Sequence, residues 1–312
     1  FIAAITTAML TATAAIAQIP QNYYSSLKGK KGAELKTAVH NIIKNATVLK
    51  YGSGSGRTWE GFYTTDRLDD GQVVDRYSND KRYFGNKGQA VSGMNIEHSF
   101  PKSWWGGSEN QAYKDLYNLM PSEQKINSAK SNYPMGKVNN ASTDNGCTKV
   151  GTGSNGYKLW EPADKWKGDF ARGYMYMATA YQDFTWSGTQ ALQILQQGDY
   201  PTLREWAYTL YIEWAKTDGV DQTEVERNNE VYKIQGNRNP FVDFPNLMEY
   251  IWGDSIDYAF DPENTVTTSD YTDNPDVPTE ETIYQATFTS ETGSFTAKNI
   301  SEPYSGFEAV SY

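Results

Sequence analysis

Apolar residues recur at helical spacing in three parts of the chain. In AELKTAVHNIIKN, residues 33–45, Leu35, Val39, Ile42 and Ile43 fall on one face, which predicts an amphipathic helix with His40 partly exposed on it. Met175, Tyr176 and Met177 in GYMYMATAY read as helix core, as do Leu203, Trp206, Leu210 and Trp214 further on. Residues 94–138, MNIEHSFPKSWWGGSENQAYKDLYNLMPSEQKINSAKSNYPMGKV, have a different texture. Pro101 there predicts the end of a strand that carries Glu97 and His98. Neighbouring strand side chains point to opposite faces, so a bend or bulge is expected at this pair if both are to serve one cleft. The apolar run at 116–120 is broken by Pro121, and Ser122 with Glu123 predicts a helix start that places Asn127 about one turn in.

The ends of the chain differ from its middle. FIAAITTAMLTATAAIAQIP is apolar and alanine-rich, and Ala15-Ile16-Ala17 is a small-x-small pattern, so residues 1–17 read as a truncated signal peptide cleaved after Ala17. No later segment is long and apolar enough to span a bilayer. Residues 18–253 form the expected main domain, of α+β class and mostly helical around a small sheet. From Asp254 the chain becomes acidic and proline-punctuated, as in YTDNPDVPTEET, which predicts a linker over 254–281. Alternating patterns at 283–288 and 293–300 then predict the first strands of a β-rich accessory domain, of which 282–312 is a fragment too short for a stable sheet of its own.

Charge changes the picture once it is divided by region. The whole chain carries a formal charge of −10, but residues 254–312 hold 12 acidic residues against one basic, Lys298, leaving the rest at +1. A near-neutral body excludes the strongly basic class of nucleic-acid-binding protein and suits transient, salt-sensitive contact with phosphates. Cys147 is the single cysteine, so no intrachain disulfide supports the fold. Aromatic residues make up 14% of the chain and supply the bulk for a packed core instead. Trp104 and Trp105 read first as part of a wall, with stacking on bases as the alternative.

His98 and His40 are the two histidines, and only His98 stands among groups that suggest chemistry. A neutral imidazole can take a proton from water, and Glu97 and Asn127 offer hard oxygen ligands that suit Mg²⁺ or Ca²⁺. Two protein ligands leave most of an octahedral shell to water and substrate oxygens.

The ordered elements EH and N-S-A-K-S-N-Y resemble the bacterial endonuclease I family. So do YYSSLKGKKGAELKTAVHNII, GDFARGYMYMATAY and VERNNEVYKIQGNRNPFVDFP, and the likeness covers roughly residues 20–253. It implies a secreted, largely sequence-nonspecific nuclease on a ββα-metal (His-Me finger) core. DNA is the implied partner, with RNA as a second substrate, bound through the phosphate backbone; no protein partner is implied. The family scheme makes His98 the general base and Glu97 and Asn127 the ligands of one Mg²⁺, with Ca²⁺ or Mn²⁺ as substitutes. Arg172 becomes a phosphate contact, and the products carry 5′-phosphates. Two positions depart from the pattern: Tyr117 stands where members often have His, and Lys130 where Arg is common.

Each accessory residue has a plain structural alternative. Arg172 is equally suited to a carboxylate, Asn118 either orients the His98 ring or holds a buried turn, and Lys130 touches a phosphate or sits in water. Arg238, in the GNRNP turn at 236–240, is structural first and a phosphate contact second. Two rival functions remain: a metal-dependent phosphodiesterase for small substrates, and a non-catalytic surface-binding protein. Attachment to the cell surface through the C-terminal region is the alternative to free diffusion after export.

Overall fold

The helical stripe at 33–45 is realised as α1 (Gly32–Ile43), which buries Leu35, Val39 and Ile43. His40 is buried too, contrary to the expected partial exposure, because its Nδ1–H donates to the Thr179 carbonyl at 2.9 Å. The computed structural model describes residues 19–268 together with two short strands beyond them. After α1 come α2 (Thr58–Thr65), β1 (Met94–His98), α3 (Gln111–Lys114), β2 (Leu119–Glu123) and α4 (Gln124–Lys130). A three-stranded antiparallel sheet follows, β3 (Asn140–Asp144), β4 (Thr148–Thr152) and β5 (Lys158–Pro162), in that order across the sheet. The helices α5 (Lys167–Ala180), α6 (Thr189–Ile194), α7 (Glu205–Thr217), α8 (Gln222–Gln235), α9 (Pro240–Asp243) and α10 (Leu247–Ile251) complete the body. The class is thus α+β, with mostly helical mass around small sheets.

Helix α5 is the centre of the packing. Twelve of its residues are buried, Met175, Tyr176 and Met177 among them, and it packs against α7, α1 and α9. A helix buried on nearly every side is a core element, and this one carries Asp169 and Arg172 inward along with its apolar side chains. On α7 the buried face is Ala207, Tyr211, Ile212, Trp214 and Ala215. Trp206 and Leu210 are only half-buried, and Leu203, fully buried, precedes the helix.

Strands β1 and β2 pair antiparallel from Met94↔Glu123 to His98↔Leu119. The register runs without a shift, so the bulge expected at Glu97 and His98 is absent. Pro121 does not break the second strand; it lies inside β2 opposite Ile96. A two-stranded ribbon has a free edge on each side, where a ring nitrogen without a hydrogen costs no ladder bond. The following helix accordingly starts later than expected, at Gln124, with Glu123 at its N-cap and no side-chain capping bond.

The body also continues past Gly253. Phe260 is fully buried against Phe244 and Tyr250, and its backbone exchanges hydrogen bonds with Gly29 and Lys30. The start of the acidic stretch, as far as Phe260, therefore packs on the main body beyond Gly253. Beyond it, β6 (Ala286–Phe288) and β7 (Phe295–Ala297) pair antiparallel within the two regions of alternating pattern. The expected leader, 1–17, and the remainder of the accessory segment lie outside the described residues. Among the described residues no helix is long and apolar enough to cross a membrane.

Candidate active site

Strand β1 stops at His98, and its exit is fixed from both sides. Asn118 clamps the backbone two residues on: its Oδ1 accepts from the Phe100 N–H at 2.7 Å and its Nδ2 donates to the Phe100 carbonyl at 3.1 Å. The Ser99 N–H donates to the Asn118 carbonyl, and Tyr174 Oη donates to the Ser99 carbonyl at 2.7 Å. Asn118 therefore acts on the chain that follows His98 rather than on the imidazole.

The ring is held by a different residue. His98 Nε2 lies 2.9 Å from the Tyr113 carbonyl oxygen. A carbonyl only accepts, so Nε2 carries the proton, and Nδ1 keeps its lone pair with no hydrogen-bond partner among the described residues. Tyr113 sits in α3, whose N-terminus is capped by Asn110 through a bond to the Tyr113 N–H. Tyr51 stacks on the imidazole, ring centroids 5.6 Å apart, and meets the Tyr113 ring edge-on at 4.9 Å, so the three rings form one cluster. Burial pushes His98 down to about 4; the Tyr113 bond opposes this, while the charges of Lys102 and Lys130 add to it. The result is a neutral base with a fixed tautomer.

Glu97 leaves the opposite face of the unbroken ribbon, toward α4. There Lys130 Nζ donates to Glu97 Oε1 at 2.7 Å, reaches the His98 carbonyl at 3.5 Å, and lies 5.1 Å over the Trp160 ring. Lys130 is wholly buried, so it sits neither in water nor where a phosphate could touch it in this arrangement. Burial pushes the Glu97 carboxyl up, and the Lys130 ammonium opposes this by charge and hydrogen bond. Asn127 is three residues before Lys130, hence on the same face of α4, and is half-buried; its amide makes no hydrogen bond among the described residues. One carboxylate and one uncommitted amide oxygen are a hard, two-point donor set, which fits Mg²⁺ or Ca²⁺ and leaves the remaining shell to water and phosphate. Among the described residues no three His, Cys, Asp or Glu side chains cluster as a metal site.

Arg172 and Arg238 lie elsewhere. Arg172, buried in α5, grips Glu224 with Nε to Oε1 at 2.8 Å and Nη2 to Oε2 at 2.6 Å, and its Nη1 donates to the Ala215 and Asp218 carbonyls. Arg238 makes the same two-pronged contact with Asp243, both bonds 2.7 Å. The structure thus favours the carboxylate alternative for both residues. Tyr117 is also buried, its hydroxyl donating to Asn228 Oδ1. Trp104 and Trp105 are buried, Trp104 against Phe100 and Tyr174 and Trp105 against Phe184, and form the wall the sequence suggested.

The structure therefore brings together His98, Glu97, Lys130 and the Asn127 face of α4, and adds Tyr113, Tyr51 and Lys102. Lys102 and the two tyrosines were not singled out by the sequence. A backbone carbonyl carries no signature in a sequence, and Tyr51 lies 47 positions from His98.

This is an α+β protein whose strand–strand–helix unit presents a neutral histidine beside a carboxylate. It belongs to the endonuclease I family, whose model matches residues 31–246, and it is a nuclease, a hydrolase of nucleic-acid phosphodiesters. It is 32% identical over 254 residues to an extracellular ribonuclease of Bacillus subtilis (strain 168), covering 78% of this chain and 82% of that one. An extracellular ribonuclease of Bacillus amyloliquefaciens is 31% identical over 242 residues, 74% of this chain and 78% of the relative. A periplasmic deoxyribonuclease of Aeromonas hydrophila is 25% identical over 134 residues, 43% of this chain and 49% of its own.

Proposed function

We propose that the chain is a secreted, divalent-metal-dependent endonuclease that cleaves DNA and RNA with little sequence specificity, on a ββα-metal core made of β1, β2 and α4. The observation that carries the proposal is the His98 imidazole, kept neutral by burial and fixed in its tautomer by the Tyr113 carbonyl at 2.9 Å. Relatives named as ribonucleases and as a deoxyribonuclease support both substrates, and the names extracellular and periplasmic, with the apolar stretch at 1–17, support export.

His98 Nδ1 takes the proton of the attacking water as its oxygen bonds to phosphorus and the bond to the 3′ oxygen breaks, which leaves a 5′-phosphate. Because β1 ends at His98, a phosphate at the end of the ribbon meets the base on one face and the Glu97 and Asn127 oxygens on the other. Those two side chains are the proposed ligands of one Mg²⁺, with Ca²⁺ or Mn²⁺ as substitutes; when bound, the ion supplies positive charge to the phosphate and to the leaving oxygen. Lys130 neutralises Glu97 and fixes its rotamer. Arg172 and Arg238 hold the fold.

The test is cleavage of supercoiled plasmid and of single-stranded RNA with Mg²⁺ and with chelator, alongside Glu97→Gln and Asn127→Ala. Cleavage of both polymers that chelator stops and either substitution lowers by at least about 10²-fold supports the reading. Full activity in chelator, or in both variants, overturns it.

A further inference from the structure

Beside the proposed metal ion, a cationic side chain on the non-bridging phosphate oxygens would stabilise the charge that grows there, and the arginines the sequence offered for that place are buried on carboxylates. We propose that Lys102 is that cation: a catalytic residue that binds the phosphate under attack and is held beside His98 by Tyr113. The proposal rests on the nuclease reading with His98 as base.

Lys102 opens a short 3₁₀ turn, Lys102–Trp105, directly after Pro101. Trp104 and Trp105 are buried, and the Gly107 N–H closes the turn on the Lys102 carbonyl at 2.9 Å, so the Cα of Lys102 is firmly seated while its side chain is exposed. The ammonium lies 4.9 Å over the Tyr113 ring and donates to Tyr113 Oη at 3.1 Å. That ring is 4.5 Å from the His98 ring, and the same residue's carbonyl fixes His98 Nε2. Tyr113 is thus a two-sided bracket, with its backbone setting the tautomer of the base and its side chain parking a cation next to it.

Two further observations single out Lys102. It forms no ion pair among the described residues, unlike Lys130, which is buried on Glu97. An ammonium has three N–H donors, and Tyr113 Oη uses one, which leaves two for phosphate oxygens. During cleavage Lys102 keeps its proton: the water proton goes to His98 Nδ1, the water oxygen bonds to phosphorus, and the 3′ oxygen departs and takes a proton from solvent. Lys102 donates throughout to the oxygens whose charge grows in the transition state.

The experiment compares the whole protein with Lys102→Gln, Lys102→Arg, Tyr113→Phe and His98→Ala in steady-state cleavage. It also measures oligonucleotide binding against salt for His98→Ala and for His98→Ala with Lys102→Gln. Expected are a roughly 10- to 100-fold fall in kcat/KM for Lys102→Gln, carried mainly by kcat, and retention within a few fold for Lys102→Arg. Tyr113→Phe, which keeps ring and carbonyl but frees the ammonium, shows a smaller loss in the same direction. In the inactive background Lys102→Gln lowers the salt slope of binding by about one unit. A dead His98→Ala beside a Lys102→Gln within twofold of the parent in kcat/KM and salt slope overturns the Lys102 proposal alone. A fully active His98→Ala overturns the base reading and this proposal with it.

Discussion

At the scale of single residues, Glu97 and His98 show how adjacent side chains divide their work. The strand sends one to α4 and the other to α3, so the base is buried among aromatic rings while the carboxylate meets a lysine. The pH profile of kcat/KM follows from that burial. An ordinary histidine titrates near 6.5, whereas His98 is pushed down to about 4. A lowered value keeps the base neutral as pH falls, so activity should stay nearly constant from pH 7 to about 5 and drop only below that; a cation bound at Glu97 acts in the same direction. A pH–rate series that falls away with a midpoint at 6.5 contradicts this. The proposed base His98 and the proposed ligands Glu97 and Asn127 can be nominated from the sequence because side-chain identity carries their chemistry. Tyr113 cannot be, since every residue has a carbonyl and only the fold aims this one. Lys130 and Arg172 were legible as cations but not as buried ones, because carboxylate and phosphate suit the same group. Lys130→Met should leave Glu97 buried without its partner and cost about 3–5 kcal/mol, read from urea unfolding.

Among the elements, the strand ending at His98 is readable from Pro101, whereas Pro121 carries the same local signal and yet lies inside β2. Whether proline ends a strand depends on which edge its nitrogen faces, and that is decided by the pairing, not by local sequence. Helical stripes were read well where an apolar face was buried, as in α1 and α5, and less well in α7, whose buried face is turned toward Ala207 and Tyr211. The start of α5 depends on a close approach that only glycine allows. A Cβ on Gly168 would stand 1.9 Å from the Asp218 carbonyl oxygen and 2.6 Å from Arg172 Nη2. Gly168→Ala should therefore destabilise by about 1–3 kcal/mol or more, and lower the melting temperature by several degrees. An unchanged melting curve would contradict the contact.

Across the whole molecule, buried ion pairs tie together segments that a single cysteine cannot link. Arg76 joins Asp66 to Asp169, Arg227 joins Asp66 to the Leu116 and Leu119 carbonyls at the entry to β2, and Arg172 joins α5 to α8 through Glu224. Arg76, Asp169, Glu224 and Arg227 also line a cavity of about 20 Å³, room for one water. Removing one partner from such a pair leaves a buried charge, so Arg172→Met should lose about 3–5 kcal/mol of stability. At temperatures where the variant remains folded its kcat/KM should be near that of the parent; a large loss of kcat in a fully folded variant would restore Arg172 as a phosphate contact. The acidic tail was legible by counting charge, but its boundary was not, because Phe260 is one core residue in a polar stretch.

The central claim is that His98 is the base of a metal-dependent nuclease. The most direct test is nicking of supercoiled plasmid in Mg²⁺ by the parent and by His98→Ala, with circular dichroism showing the variant folded. The account predicts nicking by the parent and a loss of at least about 10²-fold in the variant; a folded His98→Ala that nicks at the parental rate would contradict it.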